Sequence, residues 1–338
     1  MNFLVASLLF SSVASWCYAE ANLHPLSDEY IAQINEKATT WKAGKNFEIH
    51  DWEKVKKIAN GVLPGKRLHP NIGSVNPHDE SEDVPEEFDA REQWSKCESL
   101  KQIRDQSSCG SCWAFAAVEA MSDRLCIHSD QTQQTYVSAE DLNSCCFGAS
   151  KCGMGCGGGY IDAPWYYWNT DGIVTGGLYN SSQGCKDYSL EPCEHHVDGT
   201  KPQCDSLDFD TPECVRSCYD NSLDYKESLT FGQEQIGEFS NEKQIQLEIY
   251  NNGPVEAAFI VYEDFLSYKS GVYQATSDNE VGAHAIKILG WGVEEGTNYW
   301  LIANSWDYDW GNNGYVKFLR GENHCGIESN VVASLPLV

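Results

Sequence analysis

The chain has 338 residues, enough to bury a substantial core and to form two domains. Its 50 acidic and 23 basic residues give a formal charge of −27, which argues against a nucleic-acid partner, since that would want a basic face. The same acidity fits either a solubility surface or an acidic lumen in which many carboxylates lose their charge.

Residues 3–16 are an apolar stretch of secretory-signal length, with small residues Ala19 and Ala21 offering cleavage sites. The stretch is too short to span a bilayer, and no later one is long and apolar enough, so a soluble, exported product is expected. Fifteen cysteines agree with an oxidising compartment. Setting aside Cys17 in the signal and Cys112 leaves 13, an odd number that requires at least one more free thiol. Residues 22–83 hold no cysteine. Ser27–Glu36 predicts a short amphipathic helix with acidic residues in its first turn. The polar, proline-flanked run from Pro77 to Pro85 reads as an exposed processing junction, with a plain linker as the alternative.

The stretch from Gln106 to Phe115 is the centre of the chain. Trp113, Ala117, Ala120, Met121 and Leu125 fall on one helical face, and Ser111 is placed to cap it. Cys112 then sits in the first turn, where the helix dipole favours thiolate over thiol. A buried structural cysteine or half of a disulfide is the commoner fate in so cysteine-rich a chain. Spacing decides otherwise: Cys109-Gly-Ser-Cys-Trp113 matches the local signature of papain-like cysteine proteases at every position. A thiolate nucleophile needs an imidazole and a group to orient it. His284 opens the apolar run Ala285–Leu289, and Asn304 ends the run Tyr299–Ala303, so Cys, His and Asn occur in that order. Gln106 can aim its amide at an oxyanion beside the Cys112 N–H. Further on, Gly153–Gly158 fits a dinucleotide-loop pattern numerically, but it is cysteine-flanked and no strand leads into it. Beyond residue 231, short β-type runs at Thr230–Phe231, Gly253–Tyr262, Ala285–Gly292, Tyr299–Ala303 and Gly314–Leu319 predict an antiparallel, barrel-like unit, with a helix at Lys243–Tyr250. Asn180-Ser-Ser182 is a glycosylation sequon.

These motifs, with Ile103–Gln106, Ala117–Arg124, Cys193–Val197, Asn252–Glu256 and Cys325–Ser329, resemble the papain-like cysteine proteases, and within them the cathepsin B group. The similarity runs from about Pro25 to the end. It implies an α+β, two-domain fold with the cleft between the domains: a signal over 1–21, an inhibitory propeptide over 22–83, a mainly helical domain over 84–230 and a β-barrel-like domain over 231–338. It implies Cys112, His284 and Asn304 as the catalytic set, with Trp306 shielding the His–Asn bond. Gly158 and Gly159 would pair with an extended substrate. Tyr160, Ile161, Ala258, Ala283, Ala285 and Asn330 would line the S2 pocket, where Asn330 replaces a family acid that accepts arginine.

The family pattern pairs Cys97 with Cys126, Cys109 with Cys156, Cys145 with Cys214, Cys146 with Cys152, Cys185 with Cys218, and Cys193 with Cys204. Cys325 is left over as a small buried hydrophobe. His284 lies 172 residues after Cys112, beyond the roughly 130–150 usual for the family, so a segment is inserted. The candidate is the loop at about 185–218, which carries His195 and His196. Zinc ligands or ordinary surface residues are alternative readings of that pair. The resemblance makes it an occluding loop whose imidazoles hold a substrate's C-terminal carboxylate, pinned by Asp105 with His195 and by Lys201 with Asp309. The expected activity is that of a cysteine peptidase, dipeptidyl carboxypeptidase and endopeptidase, in a lysosome or secreted into a digestive lumen. No metal or other cofactor is implied. Peptide and protein substrates, its own propeptide and cystatin-type inhibitors are the expected partners of a monomer. A secreted, disulfide-rich binding protein of the same fold without activity is the contrasting expectation.

Overall fold

A computed structural model describes residues 23–64, 78–148, 151–194, 201–203 and 210–338. The signal segment, His195, His196 and Cys204 lie outside the described residues. The chain opens with helix α1 (Asp28–Lys37), capped by the Ser27 hydroxyl, which accepts from the Tyr30 N–H, and started by Asp28 and Glu29 at the positive end of its dipole. Strand β1 (Trp41–Ala43), a short 3-10 helix (Ile49–Asp51) and helix α2 (Trp52–Ile58) complete the regular elements of the N-terminal segment.

Strand β2 (Phe88–Asp89) and helix α3 (Ala90–Gln93) lead to helix α4 (Cys112–His128). Helices α5 (Ala139–Cys145) and α6 (Ala163–Thr170) and the short pair β3 (Ile173–Val174) and β4 (Leu229–Thr230) surround it. Then come β5 (Gly232–Phe239), α7 (Glu242–Asn252), β6 (Val255–Tyr262), β7 (Tyr268–Tyr273), β8 (Glu280–Glu294), β9 (Thr297–Ala303), β10 (Tyr315–Leu319) and β11 (Val331–Pro336).

The large sheet runs β1-β7-β10-β9-β8-β6-β11-β5, with β2 joined to β8. Its path is open, not a closed barrel, and β10 pairs with β7 in parallel, so the expected antiparallel barrel becomes a mixed sheet. Two of its strands come from outside residues 231–338: β1 from the propeptide and β2 from the start of the other half.

Helix α4 packs on β8 and is buried from Cys112 to Cys126, on all faces and not on the single apolar face that its periodicity indicates. The polar side finds charged partners within the fold. Lys287 of β8 lies 2.8 Å from Asp123 and 3.7 Å from Glu119. The Arg124 guanidinium donates to the Pro254 and Gly253 carbonyls and pairs with Glu248 at 2.8 Å. Buried charges of this kind are tolerated only when so paired. Five of the expected disulfides are formed: Cys97–Cys126, Cys109–Cys156, Cys145–Cys214, Cys146–Cys152 and Cys185–Cys218. Cys193 is also disulfide-bonded. The junction is exposed over Asp79–Asp83 yet tied down. His78 exchanges two backbone hydrogen bonds with the Gln244 side chain, and its ring meets Glu248 at 2.7 Å.

Candidate active site

Cys112 is the first residue of α4, as its motif predicts, and Cys109, just before it, is fixed by its disulfide to Cys156. Ser111 stands at the cap position but does not cap: its hydroxyl meets Tyr188 Oη at 3.2 Å instead. His284 comes from β8, next to Ala285, whose N–H points at Cys112 Sγ at 3.4 Å. Asn304 follows the end of β9. Its Oδ1 accepts the Ser305 N–H at 2.8 Å and lies 2.8 Å from His284 Nε2. An oxygen already accepting one N–H fixes the amide's orientation, so His284 Nε2 carries a proton and Nδ1 is left as the base. Nδ1 is buried and in no well-formed hydrogen bond among the described residues, while the Ile58 backbone near the ring favours its protonated form.

The indole of Trp306 lies 4.7 Å from the His284 ring, and Phe47 and Phe265 meet that indole edge-on. Gln106 is fully buried. Its Oε1 accepts from Ser305 Oγ at 2.8 Å, which turns Nε2 toward the Cys109 carbonyl (2.7 Å) and the Ile58 carbonyl of the propeptide (3.3 Å). Ser305 thus orients both Gln106 and Asn304. No motif marked it; only its place between Asn304 and Trp306 could have.

The N-terminal segment expected to be a propeptide fills this site. Gly61 lies on the sulfur so closely that a Cβ there would stand 2.5 Å from Cys112 Sγ and 2.7 Å from the Gly110 carbonyl. Gly159 donates to the Gly61 carbonyl at 3.0 Å and accepts from the Leu63 N–H at 2.9 Å, while the Val62 N–H meets the Ala283 carbonyl at 3.0 Å. Val62 runs parallel to Gly159. Gly158 stands beside it at φ 101°, a conformation that favours glycine, and a Cβ on Gly159 would strike Trp113. Burial controls the charges beneath. It pushes the Cys112 thiol up to about 12, against the pull of the Ala285 N–H. It pushes the His284 imidazole down to about 4, against the Asn304 bond. Both groups are therefore neutral in the proenzyme.

A cavity of about 230 Å³ opens beside Gly159. Tyr160, Ile161, Ala258, Ala283 and Asn330 line it as expected, and propeptide residues Val62, Leu63 and Pro64 reach into it. Ala285 does not line it. Ala285 lies opposite Ala258 in the β6–β8 register, and its N–H points at the sulfur. Cys325, expected as a buried hydrophobe, is half-buried and forms part of the wall with Gly326. It is a free thiol, as is Cys112.

At the other end, the Asp105 carboxylate accepts the Ser107 N–H at 2.7 Å, and burial pushes it up to about 6. Its expected partner His195 lies outside the described residues. Lys201 pairs with Asp307, where Asp309 was the expected partner.

The profile of the papain family cysteine proteases matches residues 84–335, and that of the peptidase family C1 propeptide matches residues 26–66. The chain belongs to the papain family of cysteine proteases. Its relatives place it in the cathepsin B-like branch, as a proenzyme. It is 46% identical over 316 residues to a cathepsin B-like cysteine proteinase of Schistosoma japonicum, covering 93% of this chain and 92% of that one. It is 45% identical to cathepsin B-like cysteine proteinase 4 of Caenorhabditis elegans over the full length of both. The fold is similar to that of procathepsin B S9 from Trypanosoma congolense, with a TM-score of 0.79 and 33% identity over 93% of this chain and 99% of that one. This cathepsin B-like proenzyme is thus a cysteine peptidase with its propeptide seated in its cleft.

Proposed function

We propose that, once the propeptide leaves, Cys112 attacks a peptide carbonyl while His284 Nδ1 holds the thiol's proton. Collapse of the tetrahedral intermediate passes that proton to the leaving amine and leaves a thioester on Sγ. Water, deprotonated by the same nitrogen, then releases the acid. Asn304 holds the imidazole, Trp306 keeps water from their bond, and Gln106 Nε2 with the Cys112 N–H stabilises the oxyanion. The observation that carries this reading is the fixed Asn304 Oδ1, accepting from Ser305 and from His284, which leaves the other ring nitrogen as the base. The substrate takes the backbone groups of Gly159 and Ala283 that Gly61, Val62 and Leu63 occupy in the proenzyme, with its P2 side chain in the cavity ending at Asn330.

The insert around 185–218 acts as an occluding loop, and His195 and His196 hold the substrate's terminal carboxylate. The peptidase then releases C-terminal dipeptides and also cleaves internal bonds. It works in an acidic lysosomal or digestive compartment, reached through the secretory pathway after removal of a signal over 1–21. The mature chain, starting near Val84, is a monomer that cystatin-type inhibitors block. Asn180 carries a glycan; its exposure and left-handed φ of 56° support that. Activity rises with pH as the thiol ionises and falls as His284 loses its proton.

The test compares activated wild type and Cys112→Ala on a peptide with a free C-terminus and on its amidated counterpart. Dipeptide release from the first, slower internal cleavage of the second and neither with Cys112→Ala are expected. Turnover by Cys112→Ala would overturn the nucleophile assignment, and equal handling of both peptides would overturn the occluding loop.

A further inference from the structure

The propeptide does more than lie in the cleft: it adds a strand to the mature sheet. β1 pairs antiparallel with β7, placing Trp41 opposite Gly271 and Lys42 opposite Ser270. The Val272 N–H donates to the Thr40 carbonyl at 2.8 Å, and the Thr40 hydroxyl donates back to the Val272 carbonyl at 2.7 Å. Trp41 Nε1–H meets the Gln274 carbonyl at 2.8 Å, and its indole stacks on Tyr268 and meets Tyr273 edge-on. Asn46 bridges the Leu266 and Tyr268 carbonyls at 2.9 Å each. Gly271 permits the approach: at φ 82°, a Cβ there would stand 2.4 Å from the Thr40 carbonyl oxygen. Lys42 faces a cavity of about 420 Å³ shared with Glu294 and Glu295.

When residues 23–64 depart, β7 becomes the edge of the sheet. The Val272 N–H and four carbonyls lose these partners, and Tyr268 and Tyr273 lose the indole. Such an edge is a template for an added strand. The propeptide's path also gives the edge a place relative to the cleft. Phe47, Asp51 and Ile58 border a small cavity with Ser107 and Cys193, while Leu63 and Pro64 reach the pocket assigned to P2. The chain therefore enters from β7 on the side opposite P2, where the leaving peptide exits.

We propose that in the mature enzyme the β7 edge docks protein substrates whose chain, beyond the cleaved bond, carries an extended hydroxyl–tryptophan–lysine segment. This rests on the peptidase reading above.

The test uses a substrate with Phe at P2, followed C-terminally by a flexible Gly/Ser linker of about 20 residues, with an r.m.s. span of about 25 Å. The linker ends in the sequence of Thr39–Asn46 as an amide; a second version carries alanine in place of the tryptophan. With an effective concentration on the order of 1 mM and a segment affinity on the order of 0.1 mM, the tryptophan version should show a KM about tenfold lower at equal kcat. Gly271→Ala should erase that difference and leave a short untailed substrate unaffected. Should Gly271→Ala fail to mature, excess free Thr39–Asn46 peptide must erase the difference in wild type. Equal KM for both tailed substrates overturns the proposal, as does slowing of the short substrate by the free peptide, which would place the segment in the cleft. No turnover of the short substrate would instead refute the peptidase reading.

Discussion

Gly61→Ala in the propeptide should unlatch the proenzyme. The new methyl would stand 2.5 Å from Cys112 Sγ and 2.7 Å from the Gly110 carbonyl oxygen, both held by α4 and the Cys109–Cys156 disulfide. Neither neighbour is the free end of a flexible side chain, so the propeptide backbone must move instead. That movement strains three hydrogen bonds: Gly159 N–H to the Gly61 carbonyl, Val62 N–H to the Ala283 carbonyl, and Leu63 N–H to the Gly159 carbonyl. At about 1 kcal/mol net for each, losing two or three costs about 2–3 kcal/mol. A uniform loss of that size raises the open fraction by about 30- to 150-fold. The assay is labelling of Cys112 in intact proenzyme by a cysteine-directed epoxide at neutral pH, followed by intact mass. In fast exchange the rate tracks the open fraction, so Gly61→Ala should label about two orders of magnitude faster. Labelling at the wild-type rate would show that the propeptide's hold does not depend on its close approach at Gly61.

Glu119 should add to the proenzyme's stability in acid relative to neutral pH, while His284, held down to about 4, works the other way. Burial pushes Glu119 from 4.5 up to about 7, despite Lys287 and Arg104. A carboxyl whose folded pKa is raised contributes stability that is fully present below 4.5 and lost as pH rises through 7, worth up to about 3 kcal/mol here. Glu119→Gln should therefore reduce the Tm at pH 5 minus the Tm at pH 8 relative to wild type; an unchanged difference refutes the assignment. At the cavity wall, Asn330 offers an arginine at P2 no ion pair to offset its desolvation. Phe, Leu or Val at P2 should outrun Arg in matched fluorogenic substrates, with Asn330→Glu restoring Arg turnover. The Lys201–Asp307 pair joins partly exposed side chains and is worth about 0–1 kcal/mol. Asp307→Asn should therefore raise internal-bond cleavage relative to dipeptide release by no more than about fivefold.

The proposed catalytic set was legible because each member sits in a short run whose local structure the sequence dictates. Cys112 follows a disulfide-fixed turn, His284 lies on a glycine-flanked strand, and Asn304 precedes an indole. What escaped was set at longer range. The helix periodicity from Trp113 to Leu125 marks one face, but Glu119, Asp123 and Arg124 are buried too, since their partners Lys287 and Glu248 arrive from distant β8 and α7. Strands β5, β7 and β11 were missed. β5 is polar along most of its length, β7 contains Ser270-Gly271, and β11 ends in Pro336, so none presents the bounded apolar run that marked the others. Ala285 was assigned to the pocket by position, and only the contact of its N–H with Cys112 Sγ shows that it lies beside the sulfur. The choice of Asp307 over Asp309 depends on where a lysine stem reaches, which spacing does not encode.

Desolvation, and not obstruction alone, keeps the covered site inert. With the thiol near 12 and the imidazole near 4, passing the proton from Cys112 to His284 costs about 11 kcal/mol before the charges attract. Even at contact separation, unit charges attract by only about 4 kcal/mol at the effective dielectric of such sites, so the neutral pair is favoured. With the ordinary values of 9.0 and 6.5, the same transfer costs about 3.4 kcal/mol, and the attraction roughly cancels it. The dipole of α4, whose first residue is Cys112, then tips the balance toward thiolate and imidazolium. Departure of Gly61 takes away both part of that desolvation and a backbone hydrogen bond that pulls the thiol down, so the gain in hydration has to outweigh the lost bond for the thiolate to form.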